Sequence, residues 1–251
     1  MSTAPGATAI DSRPILLASD IHLSVSRPDM VAAFHRFLER DAREAQALYI
    51  LGDLFELWVG DDDPDPVNTD ALDAIAALGA GGVRVHLMHG NRDFLFGRDG
   101  ARRANLTLVD DPMQVDFFGV PTLLMHGDTL CTDDVVYLEQ RNRYRRPWVL
   151  AAFLTLPRVV RVGIGRHLRR KSERAKKVKP REIMDVNDAA LAETLRTHGY
   201  PRLIHGHTHR PARHEHVVDG RRCERWVLGD WYRHASYLRV TPQGVESVPL
   251  S

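Results

Sequence analysis

The sequence predicts an α/β domain built on a layered sheet, and three observations carry that expectation. Short apolar runs rich in Leu, Ile and Val recur along the chain, each ending in a Gly, Asp or His cluster. Stretches of helical composition separate them, and strands alternating with helices indicate an α/β sheet. At 251 residues and 43% hydrophobic, the chain is long enough to bury the core of one large domain, with or without an insertion.

Taken in order, the opening MSTAPGATAIDSRP lacks a basic region followed by an apolar run. Residues 1–13 are therefore expected to be a short flexible extension rather than a signal peptide, and the domain to span 14–251. PILLAS is the first expected strand and DMVAAFHRFLERDAREA the first helix. ALYILG and TDALDAIAALGA repeat that pair, and VRVHLMHG, TLLMHG and RLIHG are further strands. WVLGDW, YLRV and ESVPL near the C-terminus read as additional strands of antiparallel character. No internal repeat or low-complexity segment interrupts the order.

One segment departs from the rhythm. From Arg141 to Arg181 the chain is densely basic, with Glu173 as its only acid, and it encloses the apolar run WVLAAFLTLPRVVRVGI. A helical insertion at about 135–182 is expected, with one apolar and one basic face. It suits packing on the core, capping an amphiphilic anion or lying on an anionic membrane surface. The net charge of +1 points to no class of partner by itself. Two distant cysteines, Cys131 and Cys223, form no CxxC pattern and suit a reducing compartment. No uninterrupted apolar stretch reaches the roughly 20 residues that span a bilayer, so a cytosolic protein is expected.

The polar residues at the strand ends carry the chemistry. SDIH offers Asp20 and His22, LGD offers Asp53, and HGNRD offers Asn91, Arg92 and Asp93. MHGD offers His126, and HGHTH offers His205, His207 and His209. In extended chain, Asp20 and His22 would share a face, as would the three alternating histidines. Oxygen and imidazole donors without thiolate suit Mn, Fe, Co or Zn. Carboxylates from several strands could bridge two ions, an arrangement that serves phosphate-ester hydrolysis.

This ordered set, DxH, GD, GNxD, H and GHxH, resembles the calcineurin-like metallophosphoesterases from Asp20 to His209. The resemblance implies a sandwich of two mixed sheets flanked by helices, with the insertion as a helical cap, and a binuclear centre. By motif position Asp20, His22, Asp53 and His209 would hold one ion, and Asp53, Asn91, His126 and His207 the other, with Asp53 bridging. His205 lies outside the pattern, which leaves it a supporting role. The longer stretches GDLFELWVGDD, HGNRDFL, HGDTLCTDD, IMDVN and HGHTHRP narrow the resemblance, over roughly 14–245, to the UDP-2,3-diacylglucosamine hydrolase family. That family implies two divalent ions, Mn2+ being the expected one. It also implies cleavage of UDP-2,3-diacylglucosamine into UMP and 2,3-diacylglucosamine 1-phosphate (lipid X) in lipid A synthesis. The expected location is peripheral, on the cytoplasmic face of the inner membrane.

Many relatives carry His after the motif Asn, where this chain has Arg92. An arginine stays protonated and donates protons poorly, but a sugar 1-phosphate leaves as an anion and needs charge rather than a proton. Arg92, Asp53 and Asn91 are thus the expected catalytic set. Substrate contacts carried over from the family fall on Asn91, Arg92, Asp134, Ser172, Lys176, Lys179 and His207, although relatives commonly have Asn at position 176. The reaction needs only water attack on the α-phosphorus, and no Ser or Cys sits in a convincing triad. A nuclease or other metallophosphodiesterase is the alternative, but the insertion offers few aromatics beyond Trp148 and Phe153 for stacking bases. No nucleic-acid or protein partner is expected. A non-catalytic membrane module has no reason to keep seven ligands in register.

Overall fold

The computed structural model describes residues 11–179, 182–232 and 235–250; residues 1–10 of the expected extension lie outside them. The first sheet has the order β11-β10-β1-β2-β3-β4. Strands β1 (Ile15–Ala18), β2 (Ala47–Leu51), β3 (Arg84–Met88) and β4 (Thr107–Val109) run parallel. β10 (Ser236–Thr241) and β11 (Gly244–Pro249) continue the sheet antiparallel.

β1 and β2 are buried at every position, which is why they read as unbroken apolar runs rather than alternating ones. Leu16, Ala18, Leu48, Ile50, Val85 and Leu87 pack against α1 (Pro28–Arg40) and α2 (Pro66–Ala80), meeting Phe34, Phe37, Leu72 and Ile75. The alternate residues, Ile15, Leu17, Tyr49, Leu51 and Met88, face a second sheet.

That second sheet has the order β5-β6-β7-β9-β8. It comprises β5 (Met113–Phe117), β6 (Val120–Met125), β7 (Arg202–His205), β8 (Ala212–Val218) and β9 (Arg221–Val227). β6, β7 and β9 are parallel, and β5 and β8 are antiparallel edges. Phe117, Leu124 and Ile204 close the inter-sheet core. α7 (Asp188–Thr197) covers the outer face through Leu191 and Leu195. Asn187 of IMDVN caps α7, accepting from the N–H groups of Ala189 and Ala190 at 3.0 and 3.1 Å. Two mixed sheets flanked by helices are thus present. The WVLGDW strand is shorter than expected: β9 ends at Val227, and Leu228–Trp231 turn toward the crevice described below.

Three helices fill the basic segment: α4 (Val135–Tyr144), α5 (Pro147–Leu154) and α6 (Arg158–Val178). Pro147 at the first position of α5 and Pro157 just before α6 place the breaks, because proline starts helices but cannot continue them. One stripe of α6, four residues apart, docks on the LFELWVGDD loop. Arg161 pairs with Asp62 and donates to the Val59 carbonyl at 2.5 Å. At Gly165 the helix passes so close that a Cβ would come within 2.9 Å of Leu57 Cδ1. Arg169 Nε lies 2.7 Å from Glu56 Oε1, and Glu173 reaches Arg92.

Candidate metal centre

The parallel strands deliver their polar residues at their carboxyl ends. Asp20 and His22 follow β1, Asp53 follows β2, Asn91 follows β3, His126 follows β6, and His207 and His209 follow β7. Both sheets therefore open onto one crevice, as open α/β sheets do at their ligand sites. Backbone bonds stitch the loops together. The N–H groups of Asp20 and His22 donate to the Gly52 and Asp53 carbonyls at 3.1 and 2.9 Å, and Gly206 N–H donates to the His126 carbonyl at 3.0 Å.

The shared-face expectation for extended chain needs correction. β1 stops at Ala18 and β7 at His205. Asp20, His22, Asp53, His207 and His209 all lie in the left-handed region, with φ of 53°, 54°, 55°, 64° and 54°. Such a conformation costs a non-glycine residue of order 1–3 kcal/mol and persists only where its surroundings enforce it. Tight turns rather than strand alternation aim these side chains. Two glycines permit the turns by close approach: a Cβ at Gly90 would collide with Asp53, and one at Gly206 with Ser19 and Asp20.

Asp20, His22 and His209 bring one ligand atom each within 4.8 Å of one another, and so do Asp20, Asp53 and His126. His209 Nε2 lies 3.1 Å from Asp20 Oδ1, and His22 Nε2 lies 3.9 Å from Asp20 Oδ1 and 3.7 Å from Asp53 Oδ2. Asn91 Oδ1 is 3.4 Å from His126 Nε2. The His207 ring meets the His126 ring edge-on at 5.1 Å, and the backbone N–H of His207 donates to Asp20 Oδ2 at 2.9 Å. Both carboxylates thus sit between two histidine sets, His22 with His209 and His126 with His207.

The electrostatics suit divalent cations. Burial raises the Asp53 pKa to about 7, with the Asp93 and Asp20 charges adding to it. Burial opposes the imidazolium of His126 and of His209, yet the surrounding carboxylates raise them to about 9 and about 10. Burial also opposes the Asp20 charge, but His209 and His126 hold its pKa far below the usual range. Without metal, the cluster balances its buried carboxylates with protons on histidines. Divalent ions held there would take the place of those protons, and the thiolate-free oxygen and imidazole donors fit such ions.

His205 stands apart. It is fully buried; its Nδ1–H donates to the Gly206 carbonyl at 2.9 Å, and Nε2 accepts from Arg225 at 3.2 Å. Burial, with Arg225 adding to it, lowers its pKa to about 4. It is a neutral strut at the end of β7.

Several residues around the crevice carry roles that motif spacing does not show. Asp93 accepts from the N–H groups of Gly90 and Leu54, both at 2.8 Å, and from that of Asp53 at 3.4 Å. It thereby joins the third motif to the second. Asp230 Oδ2 lies 3.1 Å from His209 Nδ1. Tyr232 stacks on His22 at 5.1 Å and donates to Glu56. Asp128 of MHGD accepts from Tyr137 Oη and Arg141 Nε, both at 2.6 Å. Trp58 packs between Phe55 and Phe96, while Asp61 accepts from three N–H groups at the start of α3 (Arg98–Arg103).

The expected catalytic and substrate residues fall as follows. Arg92 N–H donates to Asp53 Oδ1 at 2.8 Å, and its guanidinium, 10% exposed, donates to Glu173 Oε1 at 2.9 Å. Nearby carboxylates, Asp53 first, outweigh burial and keep it charged. Asp134 caps α4 and pairs with Lys179 at 2.6 Å. Ser172 is exposed on α6. The Lys176 side chain lies outside the described residues.

A family model for calcineurin-like phosphoesterases matches residues 13–211. A UDP-2,3-diacylglucosamine hydrolase of Aromatoleum aromaticum is 53% identical over 224 residues, covering 89% of this chain and 91% of that protein. One from Aeromonas salmonicida is 50% identical over 227 residues, covering 90% and 89%. One from Klebsiella pneumoniae subsp. pneumoniae is 46% identical over 233 residues, covering 93% and 97%.

Proposed function

The chain belongs to the calcineurin-like phosphoesterase family and, within it, to the UDP-2,3-diacylglucosamine hydrolases, and from that membership we propose that it hydrolyses the pyrophosphate of UDP-2,3-diacylglucosamine. Water adds to the α-phosphorus and the bridging P–O bond breaks, giving UMP and 2,3-diacylglucosamine 1-phosphate for lipid A synthesis. The observation that carries this reading beyond generic phosphoester hydrolysis is Arg92, a fixed cation whose backbone is anchored on Asp53.

Asp20, His22, Asp53 and His209 would hold one divalent ion, and Asp53, Asn91, His126 and His207 the other. When bound, two such ions supply charge to the phosphate oxygens and a water acidic enough to attack at neutral pH. Mn2+, the ion the family implies, is the proposed one and is among the divalent metals this donor set accommodates. Arg92 holds its charge against the departing sugar phosphate, whose second pKa near 6 removes the need for a proton donor. Asp93 keeps Asp53 and Asn91 in register through its three N–H contacts. Ser172, Lys176, Lys179 and Asp134 are the proposed contacts at the insertion, and the Asp134–Lys179 pair supports their acting together.

The insertion is the proposed seat for the acyl chains and for peripheral contact with the cytoplasmic face of the inner membrane. Among the described residues no helix is long and apolar enough to cross a membrane. Trp148 and Val159 are 68% and 77% exposed beside Arg158 and Arg146, a combination that suits an anionic lipid surface.

Incubation of the purified protein with Mn2+ and UDP-2,3-diacylglucosamine tests the reading by release of UMP. No UMP with any of several divalent ions, together with turnover of an oligonucleotide or simple phosphodiester, would overturn it.

A further inference from the structure

Helix α6 meets the crevice through two charges four residues apart, and the signs are crossed. Arg169 of the insertion pairs with Glu56 of the domain, whereas Glu173 of the insertion pairs with Arg92 of the domain. Glu173 is the only acid between Arg141 and Arg181. Its side chain is 50% exposed while that of Arg92 is 10% exposed, so Glu173 is the partner able to swing away. Among the described residues no other acid forms an ion pair with Arg92.

A carboxylate and a phosphate are rival acceptors for the same guanidinium fork. We propose that Glu173 is an internal competitor for the anion-binding face of Arg92. It neutralises Arg92 in the free protein, yields it to a substrate phosphate, and takes it back as the product phosphate leaves. This rests on the reading of Arg92 as a phosphate contact. A pyrophosphate diester carries two anionic phosphates, one for the carboxylate and histidine cluster and one to contest Arg92 with Glu173. A simple phosphodiester carries one, which the cluster takes, so it leaves the Arg92–Glu173 pair intact.

The test is calorimetric titration of UDP-2,3-diacylglucosamine into EDTA-treated protein, where no turnover occurs. Wild type, Glu173→Gln, Arg92→Ala and the double variant are compared. Glu173→Gln is expected to tighten binding roughly two- to five-fold, the scale of a part-exposed ion pair, and the gain is expected to vanish in the Arg92→Ala background. With Mn2+, the KM for the same substrate falls by a similar factor, while that for bis(p-nitrophenyl) phosphate stays at the wild-type value. Unchanged or weaker binding in Glu173→Gln overturns the proposal, as does equal tightening with and without Arg92. Arg92→Ala at wild-type affinity and turnover would overturn the phosphate-contact reading, and the proposal with it. Weak binding by Arg92→Ala beside an inert Glu173→Gln would remove the competitor alone.

Discussion

Arg169 of the insertion lies 2.7 Å from Glu56 Oε1, and the other oxygen of that carboxylate faces the candidate metal centre. Glu56 Oε2 accepts from Tyr232 Oη and stands 3.8 Å from His22 Nδ1. One buried acid therefore touches both the cap and a proposed metal ligand. Carboxylates behind metal-bound histidines fix ring orientation, and their loss typically weakens metal affinity 10–100-fold. Glu56→Gln is expected to weaken Mn2+ binding by about ten-fold or more, read by metal titration. Arg169→Ala, which leaves the carboxylate in place, is expected to change it little. Equal metal affinity in wild type and Glu56→Gln would remove Glu56 from the site.

Gly165 lets α6 lie against Leu57 and Val59. A valine there inserts branched carbon where a single Cβ already meets the Leu57 side chain at 2.9 Å. Overpacking of this kind costs about 1–3 kcal/mol and lifts the helix. Gly165→Val should sharply reduce turnover of UDP-2,3-diacylglucosamine while sparing bis(p-nitrophenyl) phosphate, which does not need the cap. Parallel loss of both activities would show instead that the helix supports the metal loops themselves.

Among the described residues Asp93 accepts from backbone N–H groups alone, and each of its oxygens serves the Asp53 turn. An asparagine in its place turns one acceptor into a donor facing an N–H. That leaves a buried donor unsatisfied, at about 1–3 kcal/mol. Asp93→Asn is expected to lower the midpoint of urea unfolding in metal-free protein and to weaken metal binding as well, because Asp53 loses its register. A variant with normal stability and weak metal binding would instead make Asp93 an electrostatic partner of the ions.

The parallel strands were legible because burial on both faces writes them as unbroken Leu, Ile and Val. β8, an exposed edge of sequence ARHEHVV, carries no such signal because solvent rather than a core sets its composition, and β4, three residues long, is too short to show one. The residues of the crevice were legible as DxH, GD, GNxD, H and GHxH, but their geometry was not. Spacing by twos suggests extended chain, and only the observed φ of 53–64° at Asp20, His22, Asp53, His207 and His209 shows left-handed turns. Glu56 and Asp93 lie inside the GDLFELWVGDD and HGNRDFL motifs without a role that spacing reveals, whereas Asp230 and Tyr232 reach His209 and His22 from 21 and 210 positions along the chain. Those contacts arise from the packing of one sheet on the other, which spacing along the chain does not encode.

His205 supplies a stability test that involves no metal. Its folded pKa of about 4 lies below the 6.5 of the free side chain. Between these values the unfolded chain binds the extra proton. The contribution of neutral His205 is therefore complete above pH 6.5 and is lost as the pH falls toward 4. A shift of this size corresponds to roughly 3 kcal/mol. Glutamine at position 205 does not titrate, so the stability gap between wild type and His205→Gln should narrow by about 2–3 kcal/mol between pH 7 and pH 4.5. Urea unfolding of both proteins in EDTA measures that gap. A gap that stays constant would mean that His205 accepts a proton in the folded state as readily as in the unfolded one, which its full burial and its contact with Arg225 argue against.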